Sequence, residues 1–242
     1  MYFKVINIIF LSFLLFGGII CAQSLKIDAI EFVTIGQIGD EDFGGYESFI
    51  SKVKNPALFE SGIVNQPNKI GIISSTGFAI DFVFVQADMP ANEFILGIQS
   101  GTIESEVFQE LSFQGDSNLV SSDITNTSQF FTIRSGYQRV FRYDKRIKIL
   151  TGTTLLLGVP VSSNTTQTLT IDFFPQEYKF FAKQSASVGL SITYGIRFKL
   201  FRNVHTAFIS RPTFYFTRVD GSPTSSLLRG TNLSFQFKIR SK

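Results

Sequence analysis

Residues Lys183–Phe201 read KQSASVGLSITYGIRFKLF, and every second residue belongs to one of two sets. Ala186, Val188, Leu190, Ile192, Tyr194, Ile196, Phe198 and Leu200 form an apolar set. Lys183, Ser185, Ser187, Gly189, Ser191, Thr193, Gly195, Arg197 and Lys199 form a small, polar set with cations toward one end. A period of two is the signature of a strand with unlike faces. The run is also far longer than the five or six residues usual in globular sheets. A long strand with one greasy face and one small polar face is what a transmembrane β-barrel requires.

Working outward, the same pattern recurs. Lys69–Gln86 sets Ile70, Ile72, Phe78, Ile80, Phe82 and Phe84 against Gly71, Ser75, Gly77, Ala79 and Asp81. A strand from Asn92 carries Phe94, Leu96 and Ile98 on one face and fades near Glu104 and Glu106. Ser128–Tyr143 sets Phe131, Ile133, Tyr137, Phe141 and Tyr143 against Thr132, Arg134, Gly136, Gln138 and Arg142. Arg139 falls on its apolar face, near a strand end from which it can snorkel. Arg146–Val161 sets Ile147, Ile149, Leu155, Leu157 and Val159 against Lys148, Gly152, Thr154 and Gly158. Val204–Val219 sets Val204, Phe208, Phe214 and Phe216 against His205, Ala207, Arg211, Thr213 and Tyr215. Pro212 counts against a central strand there. Thr231–Arg240 alternates Leu233, Phe235, Phe237 and Ile239 with Asn232, Ser234, Gln236, Lys238 and Arg240.

The first strand, Leu25–Gln37, has a phase error: Glu31 shares a face with Leu25, Ile27, Val33 and Ile35. A bulge near Ala29 repairs it. Eight strands result, with connections alternating long and short. The long ones include Ile38–Asn68, a polar loop of about 14 residues before Ser128, and Ser163–Ala182. The expected fold is an all-β, up-and-down antiparallel barrel of eight strands, with both ends of the chain on the short-turn side. An even strand number lets the first and last strands pair and removes the edge.

The segment FFTIRSGYQRVFRY with its tight turn, and the alternating last strand, resemble the small outer-membrane barrels of the OmpA-transmembrane and OmpX type and the PorT-like outer-membrane barrels. The likeness covers about Ser24–Lys242 and lies in the pattern. It implies an integral outer-membrane protein in contact with outer-membrane lipid. It also implies a last strand read by barrel-assembly machinery through Phe235 and Phe237, although the chain ends on Lys242 and not on an aromatic residue.

Composition agrees. Of 242 residues 44% are apolar, with 28 Phe and no Trp, yet past residue 22 no apolar run reaches the roughly 18 residues of a spanning helix. A formal net charge of +3 and the lack of a basic, aromatic-interleaved run exclude a nucleic-acid partner. The opening MYFKVINIIFLSFLLFGGIICAQ has Lys4, an apolar run and small residues, the form of a signal peptide cleaved between Ala22 and Gln23. The rival is acylation of Cys21, disfavoured by Ile20 before it. Loss of Cys21 leaves no cysteine, which excludes disulfides and thiol chemistry.

Alternation alone does not say which face is outside. A soluble lipocalin-like barrel would line a ligand cavity with the apolar face. The Gly, Ser and Thr of the polar face suit a crowded interior better than a solvated surface. Eight strands leave an interior that side chains fill. The expected lumen-facing residues are Asp81, Arg134, Arg142, Arg197, Lys199 and Arg211, with Arg134, Arg142 and Arg211 pairing with the few interior acids such as Asp81.

No cofactor is implied. His205, the single histidine, falls on the lumen face and Ser210 on the lipid face, so they make no catalytic pair. Asp40, Glu41 and Asp42 lack full calcium-loop spacing and read as a solvated acidic loop. Cations including Lys145, Arg146 and Arg202 gather at the turn end and acids in the long loops. Snorkelling explains that segregation; contact with an anionic periplasmic partner is the sharper reading. The role expected is structural or interactive through long outer loops, with a narrow pore, a lipid-modifying enzyme or a soluble carrier as alternatives.

Overall fold

The computed structural model describes residues 25–42, 63–65, 69–113, 120–171, 174–180, 185–219 and 222–239. The expected cleavage site at Ala22 and Gln23, together with Cys21, lies outside the described residues. In chain order the strands are β1 (Leu25–Asp42), β2 (Ile63–Asn65), β3 (Lys69–Gln86), β4 (Asn92–Phe113), β5 (Val120–Phe141) and β6 (Ile147–Ile171). They continue with β7 (Phe174–Phe180), β8 (Ser187–Lys199), β9 (Val204–Ser210), β10 (Thr213–Val219), β11 (Ser222–Arg229) and β12 (Thr231–Lys238).

Eight staves make the ring. β9 and β10 are one stave interrupted at Arg211–Pro212, and β11 and β12 are one stave interrupted at Gly230; each keeps its register across the break. β2 and β7 lie off the ring, on β4 and β6. Every pairing is antiparallel, and β11 and β12 close onto β1. One row of partners runs Phe32, Ile80, Ile98, Ile133, Leu157, Val188, Phe216, Ser225 and back to β1 at Asp42. The row therefore returns ten residues further along β1. With a rise of about 3.4 Å per residue and a strand spacing of about 4.8 Å, that stagger over eight staves tilts them roughly 42°.

The faces follow the alternation. In β8, Ser187, Gly189, Ser191, Thr193 and Arg197 are buried, whereas Val188, Leu190, Ile192, Tyr194 and Ile196 are exposed. Phe78, Phe82, Ile98, Phe131, Tyr137, Ile149, Phe208, Phe214, Phe235 and Phe237 extend the exposed apolar band around the ring. At that tilt, Val188 to Leu200 covers about 30 Å along the axis, the thickness of a hydrocarbon layer. The apolar face is outside and the polar face inside, which is a transmembrane barrel and not an inverted, ligand-carrying cup.

The first strand carries the bulge its phase error demanded. Ile27 pairs with Phe84 and Ala29 with Val83, so Asp28 is the extra residue. The shift buries Glu31 and takes Val33 and Ile35 inward with it, leaving Phe32 on the outside.

Five features differ from the sequence reading, the first being that β1 runs to Asp42 where the strand was expected to end at Gln37 and a loop to begin at Ile38. β4 does not fade at Glu104 but runs to Phe113, and β5 starts at Val120, not Ser128. The connection between them spans only residues 114–119. The stretch Ser163–Ala182 is not mainly a loop: β6 runs on to Ile171 and returns as β7. The last stave begins at Ser222, well before Thr231. The backbone ladder carries β4, β5, β6 and β7 past the expected strand ends, whereas β11 lies inside the apolar band, with Leu227 and Ser225 opposite Phe214 and Phe216, and reads weakly in sequence because Ser and Thr interrupt its apolar residues. Finally, Pro212 does sit within a stave. Its carbonyl accepts the Ile192 N–H at 3.0 Å, but it can return no bond, and the strand breaks there.

Candidate functional site

The lumen is stacked in layers. At the turn end Val140, Leu150, Ala207 and Ile209 form a small apolar floor against Tyr143. Tyr143 was expected on the outer face; it lies beneath Lys148 Nζ, 4.4 Å from its ring centre, and Lys238 Nζ reaches the same ring. Lys238 also pairs with Asp28, the bulged residue.

Beside the floor sits a charged knot, with Arg197 directly across the strands from Ala207. Arg197 Nη1 donates to both oxygens of Glu93, at 2.8 and 2.9 Å, and Nη2 donates to Glu31 Oε2 at 3.4 Å. Ser234 Oγ donates to Glu31 Oε1 at 2.6 Å, and Gln138 Nε2 to Glu93 Oε2 at 2.5 Å. Four different staves, β1, β4, β5 and β12, thus supply groups around a guanidinium carried on a fifth, β8. Arg197 is 1% exposed and both carboxylates 0%, so the knot is dry. Dry ion pairs hold only when the geometry and extra hydrogen bonds offset the desolvation of both partners.

One layer higher, Arg134 Nη2 lies 3.3 Å from Asp81 Oδ2, both buried. The neighbour across the strands from Asp81 is Gly97, and a Cβ there would collide with Asp81 Oδ1 and the Ile80 carbonyl. Gly97 thus gives Asp81 its room. Beyond lies Arg211, at the break in the seventh stave. Gln37 Nε2 donates to the Arg211 carbonyl at 2.6 Å and to Thr213 Oγ1 at 3.1 Å, while Thr213 Oγ1 donates to the same carbonyl at 3.0 Å. These bonds hold the backbone that Pro212 disrupts. Towards the loop end the filling turns apolar again, with Ile73, Leu156, Tyr215 and Leu228 packed together and Ile103 against them.

Of the expected lumen residues, Asp81, Arg134, Arg197 and Arg211 are buried inside. Arg134 pairs with Asp81, but the pairing expected of Arg142 and Arg211 is not formed: Arg142 lies outside in the turn and the Arg211 guanidinium reaches no acceptor. Arg142 and Lys199 are corrections. Arg142 is exposed in the turn after β5, with a left-handed φ of 55°, because a tight hairpin needs one such residue there. Lys199 is the last residue of β8; its N–H meets the Arg146 carbonyl and its side chain is exposed at the rim. Arg139 is exposed and its guanidinium lies 5.5 Å from the Phe141 ring centre, the expected snorkelling pose.

The carboxylates of the knot escaped the sequence reading. Glu93 is the second residue of β4, four positions before Gly97, and its parity with Gly97 and Gln99 is the available signal. Glu31 showed only as a phase error. His205 is buried on the lumen face while Ser210 has the outward parity of Phe208, so the two do not meet. Asp40, Glu41 and Asp42 end β1 as backbone partners of Leu227, Ser226 and Ser225, not as a loop. Among the described residues, no group of three His, Cys, Asp or Glu side chains is placed to hold a metal.

No protein-family model matches the chain, and no curated protein matches it in sequence. Among the solved structures similar to it are three that match nearly the whole of both chains. Neisserial surface protein A is 11% identical, with a TM-score of 0.35, covering 90% of this chain and 100% of its own. Ail, the attachment invasion locus protein of Yersinia pestis, is 12% identical at a TM-score of 0.29, covering 90% and 99%. The outer membrane protease OmpT of Escherichia coli is 11% identical at 0.29, covering 89% and 98%. At these scores the fold rests on the chain's own strand register.

Proposed function

We propose that the chain is an integral outer-membrane barrel whose lumen is sealed by its own side chains and whose contacts with other molecules are made from the loop end. The observation that carries this reading is the exposed apolar band around a closed ring with a polar interior. A backbone ring with no free edge meets the requirement of a bilayer, where unpaired N–H and C=O groups find no water. The filling supports a sealed lumen: from Tyr143 to Leu228 every layer holds packed side chains, and the cavity beside Arg211 offers about 10 Å³, the room of one water. Export by the opening segment and delivery to assembly machinery through Phe235 and Phe237 belong to the same reading. Both rings are exposed on the closing stave, and Phe237 packs edge-on to Phe32 of β1 with ring centres 5.8 Å apart.

The test is cell fractionation followed by a gel run with and without boiling. Recovery in the outer membrane with a band that shifts on boiling is the expected result. Recovery in the periplasm as a soluble, heat-insensitive species refutes it. A planar-bilayer recording separates a sealed barrel, which gives no discrete conductance steps, from a narrow pore.

A further inference from the structure

The lumen's charges do not balance. Among the described residues its buried side chains include three carboxylates, Glu31, Asp81 and Glu93, and four cations, Arg134, Lys148, Arg197 and Arg211. Arg197 takes Glu31 and Glu93, Arg134 takes Asp81, and Lys148 sits at the turn-end mouth over Tyr143. Arg211 is left over. It is 4% exposed, and its Nε, Nη1 and Nη2 reach no protein acceptor. Arginine keeps its charge at any physiological pH, so it cannot relieve burial by losing a proton. An isolated buried cation is costly enough that such groups are normally paired.

Arg211 lines a cavity with Arg134, Ser191, Gln99, Asn232 and Tyr215, among others, and no carboxylate borders it. Arg134 Nε and Nη1 and Ser191 Oγ also lack a protein acceptor. Two guanidinium groups and a hydroxyl thus bring unused donors to one small space of about 10 Å³. That set of groups repels a metal cation, and the space is too small for a carboxylate or phosphate ligand. A water accepts hydrogen bonds but brings no charge.

We propose that this cavity is a binding site for one small monovalent anion of halide size, held between Arg134 and Arg211 and completing the charge balance of the lumen. The anion acts as a structural counter-ion in the middle of the barrel, and the site does not depend on what the loops contact. Because it is occupied only in the folded barrel, it stabilises by mass action. Each tenfold rise in chloride above its dissociation constant raises the folded-to-unfolded ratio about tenfold.

The experiment refolds the barrel into phosphocholine vesicles and follows urea unfolding by the unboiled gel band. It compares sodium chloride with sodium gluconate at matched ionic strength. The folded fraction should rise with chloride and not with the bulky gluconate. Asp81→Asn, which frees Arg134 from its carboxylate, should shift the chloride response to lower concentration, and Arg211→Met should abolish it. Because Arg211→Met can fail to fold, crystals of the unaltered barrel grown in sodium bromide give an independent reading. An anomalous bromide peak between Arg134 and Arg211 is expected. Equal stability in chloride and gluconate, or no bromide peak there, means a water at most and overturns the proposal, as does an unchanged chloride response in Arg211→Met.

Discussion

Replacing Arg197 with Met removes the centre of the knot while keeping its length and most of its volume. Three charge-assisted hydrogen bonds disappear, two to Glu93 and one to Glu31. Glu93 keeps Gln138 and Glu31 keeps Ser234, so neither carboxylate is stripped of every donor. Both nevertheless stay fully buried without a counter-charge. Breaking a buried pair from one side costs about 3–5 kcal/mol, or roughly three orders of magnitude in the unfolding constant. Urea titration of the barrel refolded in vesicles, read by the unboiled band, measures the loss. The triple variant Arg197→Met, Glu31→Gln, Glu93→Gln has no buried charge left in the knot and should recover most of that loss, since neutral replacement of a whole buried cluster is often tolerated. A loss below about 1 kcal/mol for the single variant means that solvent reaches the knot, and failure of the triple to recover means that charge is not the reason for the loss. Either result refutes the reasoning.

The remaining predictions concern the wall, the layer above and the two rims. Ile192→Arg, on the exposed face near mid-band, should cost about 2–4 kcal/mol in the same titration, the penalty of a lipid-facing cation near the bilayer midplane. Gly97→Ala should cost about 1–3 kcal/mol by pushing Asp81 and the Ile80 carbonyl apart, and the change should be seen as a lower urea midpoint. His205→Ala should leave the lipid A and phospholipid profile of the envelope unchanged by mass spectrometry, because Ser210 lies on the other face; an altered profile would revive an enzymatic role. If the turn-end rim holds an anionic periplasmic partner, neutralising Lys145, Arg146 and Arg202 together should weaken its recovery in a pull-down, and undiminished recovery sinks that idea. All three side chains are exposed there.

What the sequence alone determined is what the bilayer imposes. Within the hydrocarbon layer each strand must show lipid an apolar face and the crowded lumen a small or polar one. The alternation of Val188, Leu190 and Ile192 with Ser187, Gly189 and Ser191 is therefore written residue by residue, and strand number, order and the Asp28 bulge follow from it. The same logic placed Asp81, Arg134, Arg197 and Arg211 inside. Past Glu104 and before Ser128 the residues are mostly polar, so the apolar–polar pattern lapses while the backbone ladder continues. That is why β4 and β5 run past Glu104 and Ser128, and why β6 turns back as β7, with little sign of either in the chain. Parity also fails at the rim, where turn geometry and not the pleat aims a side chain; Arg142, Lys199 and Tyr143 were misplaced for that reason. Tertiary structure alone decided which charges meet. Glu31, Glu93 and Arg197 lie far apart in sequence, and they come together because the ten-residue stagger of the closed ring brings their staves to one height. The same closure left Arg211 without a carboxylate, which nothing in its neighbourhood along the chain foretells.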